Sequence, residues 1–293
     1  FTSLPESIGN LSSLRELNLG SNQFTSLPES ICNLPSDCNI ILLNNYICST
    51  FPSCFQWIHE QSCEEIICPE SLVEYNNDCY YQTDLDVLQD IIDVNESLSG
   101  KEPLEIGGQG WVDGRLDSLV LSSNQLTTLP ESIVDLSSLE QLKLQNNQLT
   151  TLPESIGSLS SLEWLFLWGN QLTTLPESIG DLSSLEGLYL WGNQLTTLPE
   201  SFGDLSSLKY LYLSSNQLTT LPESFWNLSS LEELHLNDNQ LTTLPESICS
   251  LTNLNWSSEY IYGVLYSYIY NNNLCLSIPT CIVDYIGEQD CDD

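Results

Sequence analysis

Positive charge is what this chain most lacks. Five lysines and arginines stand against 40 acidic residues among 293, a formal net charge of -35. Nucleic acid and anionic membrane surfaces are gripped by clustered Lys or Arg, so neither is expected as a partner. Methionine is absent, the first residue is Phe1 and no leader-like segment is present. The sequence therefore reads as a processed or excerpted chain. Long apolar runs are missing too. The most apolar aromatic stretch, 260–270, is too short to span a bilayer. Only two histidines occur, His59 and His235, with no CxxC pair and no His-rich cluster beside the cysteines, which argues against a metal centre. Neither histidine has a partner at an interpretable spacing, and Gly107, Gly108 and Gly110 read as a loop with no convincing helix behind it. The expectation is no enzyme and no cofactor.

Cysteine, in contrast, is plentiful. Eleven cysteines gather at the ends of a regular segment, which points to an oxidising compartment. Sequons at Asn10, Asn95, Asn227 and Asn255 are compatible with a glycosylated protein, secreted or held at the cell surface.

The regular segment is a 23-residue unit, LxxLxLxxNQLTTLPESIxxLSS, beginning at Leu116, Leu139, Leu162, Leu185, Leu208 and Leu231. A fixed period of this size marks a solenoid, in which each unit buries its apolar face only against its neighbours. Alternation in xLxLx sends Leu165 and Leu167 inward and Trp164, Phe166 and Trp168 outward. The Asn that follows (Asn124, Asn147, Asn170, Asn193, Asn216, Asn239) both donates and accepts, so a stacked column of them can satisfy the backbone at each turn. In LPESI, Pro and Glu suit the start of a short helical or 3-10 turn.

These units resemble the leucine-rich-repeat family, in particular the subgroup with an LPxxIxxL half. The resemblance implies an α/β repeat fold: a right-handed solenoid with parallel strands on the concave face and short helical or 3-10 turns on the convex face. Partial units before residue 67 imply two arrays in tandem. Residues 1–66 read as the end of a first array with a Cys-rich C-terminal cap, 67–115 as the N-terminal cap of a second, 116–253 as six repeats, and 254–293 as an insertion and a second Cys-rich cap. Cys32, Cys48, Cys54 and Cys63 correspond in order to Cys249, Cys275, Cys281 and Cys291. They resemble the disulfide-stapled caps of secreted members; four cysteines allow three pairings, and the connectivity stays open. Cys68 and Cys79 form a local pair, leaving Cys38 as the odd thiol. The N-terminal cap is expected to hold a helix over TDLDVLQDIIDV, N-capped by Thr83 or Asp84 with Leu85, Leu88, Ile91 and Ile92 on one side, and Trp111 covering the first strand. The connector between the arrays is only a few residues, which predicts a nearly fixed angle. Near the end about eleven extra residues intervene between Leu254 and Leu265, after which Asn273 is expected to resume the Asn column.

The outward strand positions vary while the scaffold does not. Trp164, Phe166, Trp168, Tyr189, Trp191, Tyr210 and Tyr212 fall on three adjacent strands, where neighbouring units use Ser, Gln or Asn. Each ring can present roughly 150–250 Å², more apolar surface together than a solitary soluble protein exposes. This patch is the candidate binding face, for a protein (another copy or a different one) or a glycan, with Lys143 and His235 at its rim. On the convex side Glu131, Glu154, Glu177, Glu200, Glu223 and Glu246 should stack about 5 Å apart. Such a column is a solvated acidic face that repels itself and offers weak divalent-cation binding. The sequence favours a non-enzymatic extracellular structural or adhesive protein, self-assembling as a homo-oligomer, filament or coat. The alternative is a recognition ectodomain for a peptide or glycan.

Overall fold

A computed structural model describes residues 1–42, 45, 47, 52–54, 68, 72–75, 78–256, 267–275 and 278–289. Cys48, Cys63, Cys291, His59 and the insertion residues Tyr260 to Tyr262 lie outside them. The chain divides into two compact units, Phe1–Ile67 and Cys68–Asp293.

In the first unit, β1 (Glu16–Asn18) and β2 (Asn39–Ile41) pair in parallel, Leu17 opposite Ile40. Their turns, Glu6–Asn10 and Glu29–Asn33, are 3-10 helical. Leu19, Phe24, Leu27, Ile31, Leu34, Leu42 and Ile47 form the core. Asn45 serves this core as the repeat asparagines serve the larger one, accepting from Phe24 N–H and donating to the Leu19 and Leu42 carbonyls. Cys38 is a free thiol, partly buried against this cluster.

The second unit opens with an antiparallel hairpin, β3 (Leu72–Tyr75) and β4 (Asp78–Tyr81), closed by the Cys68–Cys79 disulfide. Helix α1 (Gln82–Asp93) follows, with Leu85, Leu88, Ile91 and Ile92 buried. Its N-cap is Tyr81, which supplies no side-chain bond; neither Thr83 nor Asp84 caps it. Asp84 is drawn inward instead. Its carboxylate accepts the Leu116 N–H at 2.8 Å and pairs with Arg115 at 3.2 Å, tying the helix to the first repeat strand. Burial raises the Asp84 pKa, against the lowering effect of that bond and of Arg115.

Of the glycines expected in a loop, Gly108 and Gly110 lie in a strand and Gly107 just before it. Strand β5 (Gly108–Val112) runs antiparallel to β6 (Arg115–Val120) and turns through Asp113 and Gly114, both at positive φ. Glycine is required at 107, at φ +61°, where a Cβ would come within 2.1 Å of the Val120 carbonyl. Trp111 packs on the main core and meets Tyr80 edge-on at 4.7 Å.

From β6 the sheet continues in parallel through β7 (Gln141–Lys143), β8 (Trp164–Phe166), β9 (Gly187–Tyr189), β10 (Tyr210–Tyr212) and β11 (Glu233–His235), seven strands with β5. Register follows the 23-residue period, so Leu142, Leu165, Leu188, Leu211 and Leu234 stand side by side and wholly buried. The Asn column holds the turns. Asn193, for example, donates to the Leu167 and Leu190 carbonyls at 3.0 and 2.9 Å and accepts the Leu172 N–H at 3.0 Å. Asn272, not Asn273, continues the column, accepting the Leu241 N–H and donating to Leu236 and Ile269. That contact spans 31 residues where the regular rungs span 21, so the insertion is ten residues.

On the opposite side lie 3-10 turns from Glu131–Asp135 to Glu246–Ser250, each preceded by an extended Pro. They stack so closely that a Cβ on Gly157, Gly180 or Gly203 would sit 2.0, 2.2 or 2.1 Å from the carbonyl oxygen of Ser178, Ser201 or Ser224. In the last regular turn this glycine position carries Cys249, and the facing serine position carries Cys281; the two are disulfide-bonded. Cys32 and Cys54 repeat the arrangement in the first unit. The staples thus occupy the closest rung-to-rung contact of the repeat. The Glu column also has a structural role: Glu131, Glu177 and Glu246 accept the backbone N–H of Ser155, Ser201 and Thr280 in the following turn. Among the described residues no helix is long and apolar enough to cross a membrane.

Candidate functional site

Parallel strands in register lie about 4.8 Å apart, which is close to ring-stacking distance. Like positions on neighbouring rungs therefore stack their rings. Phe166 lies on Tyr189 at 4.5 Å between centroids, and Tyr189 on Tyr212 at 4.8 Å. The file continues through His235, 4.2 Å from Tyr212, to the buried Tyr268, 4.8 Å further. At its other end the Lys143 ammonium sits 5.4 Å over Phe166.

A neighbouring file is built on a gap. Gly187 stands between Trp164 and Tyr210 in the register, and a Cβ there would be 2.5 Å from the Trp164 indole. Trp164 leans into this space and stacks on Tyr210, two strands away, at 5.9 Å. It also lies 6.5 Å from Tyr189, so Trp164, Phe166, Tyr189, Tyr210 and Tyr212 form one array. Trp168 and Trp191 make a separate parallel pair at 4.4 Å, and Trp191 is 38% exposed. Each such contact adds roughly 0.5–1.5 kcal/mol beyond area burial. The rings are therefore held in place before anything binds.

Two polar residues complete the face. Glu233 is opposite Tyr210, and His235 opposite Tyr212. Two apart on one strand, they share a face, and His235 Nε2 lies 2.9 Å from Glu233 Oε1. His235 is thus a buried member of the file with a partner, not a lone rim residue. The period-2 spacing of Glu233 and His235 was the sequence signal for this pair. Glu233 is 3% exposed, and its Oε2 has no hydrogen-bond partner among the described residues. Burial pushes the Tyr189 hydroxyl pKa up to about 12, with Glu233 and Tyr210 adding to it. Burial and then the adjacent Glu233 carboxylate raise Tyr212 as well.

The remaining candidates scatter. Asn10, Asn227 and Asn255 are exposed. Asn95 is a correction to the sequon reading: it is buried, donates to the Ile91 and Thr128 carbonyls, and accepts the Thr127 N–H. Its amide nitrogen is committed to joining α1 to the first repeat and is closed to a glycan. Cys275 is disulfide-bonded. Among the described residues, no group of three His, Cys, Asp or Glu side chains converges on a metal position.

Comparison with known proteins places the fold. Models described as leucine rich repeat match residues 114–172, 167–218 and 183–241, and a second matches 13–34, together just over half of the chain. No curated protein matches. Among solved structures, a leucine-rich-repeat protein of Leptospira interrogans is 28% identical, with a TM-score of 0.50, over 100% of this chain and 70% of that one. The leucine-rich-repeat ectodomain of a plant membrane receptor kinase from Arabidopsis thaliana, in complex with CASPARIAN STRIP INTEGRITY FACTOR 2, is 23% identical at a TM-score of 0.46, over 98% of this chain and 28% of that one. A plant peptide hormone receptor in complex with its peptide is 22% identical at 0.45, over 99% and 34%. With parallel strands at a 23-residue period, an Asn column beside them and 3-10 turns opposite, this chain is a leucine-rich-repeat protein.

Proposed function

We propose that this chain is a non-enzymatic protein-binding module of the cell exterior, whose concave aromatic face takes up a segment of a protein partner. The observation that carries this reading is the Trp168–Trp191 pair, stacked at 4.4 Å and opening to solvent at Trp191 beside the five-ring array. Rings already ordered by stacking lose little freedom on binding, and Trp and Tyr are over-represented among residues that dominate binding energy. The stacking also favours a protein over a glycan. A sugar ring packs on an open aromatic face, but here faces meet faces, and edges, phenol hydroxyls and indole N–H groups are left for carbonyls and side chains. Three disulfides among the described residues support an oxidising, extracellular setting.

The partner is either a second copy, as the structural or adhesive reading has it, or a different protein. Sedimentation and electron microscopy of the purified chain, with and without Trp168→Ser/Trp191→Ser, separate the two. Concentration-dependent assembly abolished by the double change identifies self-association. A monomer whose native partner is lost in the double variant identifies recognition. Association unchanged in a folded double variant would overturn the assignment of the face.

A further inference from the structure

The aromatic array holds a carboxylate oxygen that no described residue satisfies. Glu233 is 3% exposed, and one of its carboxylate oxygens is held by His235 while Oε2 has no donor among the described residues. A buried carboxylate oxygen without a donor is costly, and such atoms are scarce in folded proteins. Among the described residues the one ion-pair partner of Glu233 is the His235 imidazole. Tyr210 flanks Glu233 on the adjoining strand, Tyr212 flanks His235, and Tyr189 stacks on Tyr212 at 4.8 Å. After burial, the Glu233 carboxylate adds to the raised pKa of Tyr189 and of Tyr212, and the Tyr212 hydroxyl donates to that carboxylate. The cluster is thus rich in acceptor oxygens and walled by rings, in a chain whose formal charge is -35. The nearest lysine along the ring file, Lys143, is at its far end over Phe166.

We propose that Glu233, with the hydroxyls of Tyr210 and Tyr212 around it, is the receiving site for a basic side chain, the guanidinium of Arg or the ammonium of Lys, carried by the bound protein segment. This deepens the reading of the concave face as protein-binding and rests on it. A guanidinium provides five N–H donors and an ammonium three, so either satisfies Oε2 and still has donors for phenol oxygens. Aromatic walls add cation–π attraction to that charge-assisted bond. Lys143 over Phe166 and Glu233 beside His235 also put opposite charges at two separated points along the ring file, which would orient a bound segment.

The test uses short blocked peptides, acetyl-Gly-Arg-Gly-amide, its Lys counterpart and its citrulline counterpart, titrated into the intact chain at physiological ionic strength. The readout is the ring-proton NMR signals of His235, one of only two histidines. The Arg and Lys peptides should shift these signals saturably. The neutral citrulline peptide, and the Arg peptide with Glu233→Gln, should bind about tenfold more weakly or worse. Glu200→Gln removes the same charge from the exposed convex column and should leave binding unchanged. Equal binding of citrulline, unaltered binding to Glu233→Gln, or an equal loss in Glu200→Gln would each overturn the site, the last by assigning the effect to bulk charge. If Glu233→Gln does not fold by circular dichroism, Tyr212→Phe keeps the ring and removes the oxygen. It should weaken the Arg peptide several-fold, and no change would overturn the site. Failure here leaves the Trp168/Trp191 experiment standing, whereas failure there removes the face itself.

Discussion

Replacing Asn193 by Ala should be among the most damaging single changes in the array, far beyond its size. Its amide donates to the Leu167 and Leu190 carbonyls and accepts the Leu172 N–H, all buried. Alanine leaves the Leu172 N–H without its partner in a space closed by leucines, and takes one of two amide donors from each carbonyl, Leu167 keeping Asn170 and Leu190 keeping Asn216. The orphaned N–H costs about 1–3 kcal/mol and the two lost bonds about 0.5–1.5 kcal/mol each, so the loss is roughly 2–6 kcal/mol, a large share of the roughly 5–15 kcal/mol that holds a domain folded. Nearest-neighbour coupling places this loss on two adjoining rungs at once. Asn124, at the start of the column, makes one amide bond, to the Ser122 carbonyl, in a partly exposed position. Water can replace it, and Asn124→Ala should cost under about 1 kcal/mol. Asn193→Asp, which keeps the acceptor and loses both donors, should resemble Asn193→Ala. Urea unfolding followed by far-UV circular dichroism reads all three. An Asn193→Ala loss below about 1 kcal/mol, or equal losses at 124 and 193, would refute the column as the support of the turns.

Two further outcomes follow from the same geometry. Cys249→Ser/Cys281→Ser opens a closure 32 residues apart, and on loop entropy should lower stability by about 3–4 kcal/mol; a melting temperature equal to wild type would show the staple to be redundant. In an alkaline titration followed by tyrosine absorbance, Tyr189 should ionise only at about pH 12, above the roughly 10 of free tyrosine. Because its folded pKa lies above the unfolded one, its contribution to stability is complete below the unfolded value and is lost as pH rises through about 12. A single transition for every tyrosine while the protein is still folded would count against the buried array.

Much of the fold was legible because it is local and periodic. A leucine every second or third residue, one Asn per turn and Pro-Glu before each 3-10 turn are decisions taken within 23 residues and then repeated. Even the staples were written in register, with Cys249 in the place of Gly180 and Cys281 in the place of Ser201. That correspondence emerges only when the closest contact between rungs is known. The errors fell where the period breaks. The helix start at Gln82, the strand at Gly108–Val112 and Asn272 in the column all belong to ends or insertions, where no neighbouring copy supplies the register. Asn95 matched a modification triplet, but a triplet carries no information on burial.

Sequence alone determined that this chain forms stacked rungs and that aromatic residues gather on a few of them, because side-chain alternation and a fixed period are properties of the backbone. Tertiary structure alone decided what those rings do with one another. Strand spacing set Phe166, Tyr189 and Tyr212 into a file, the missing side chain at Gly187 let Trp164 reach Tyr210, and burial left Glu233 with an oxygen that no described residue claims. Those outcomes depend on distances between residues far apart along the chain, which appear only when the rungs close on each other.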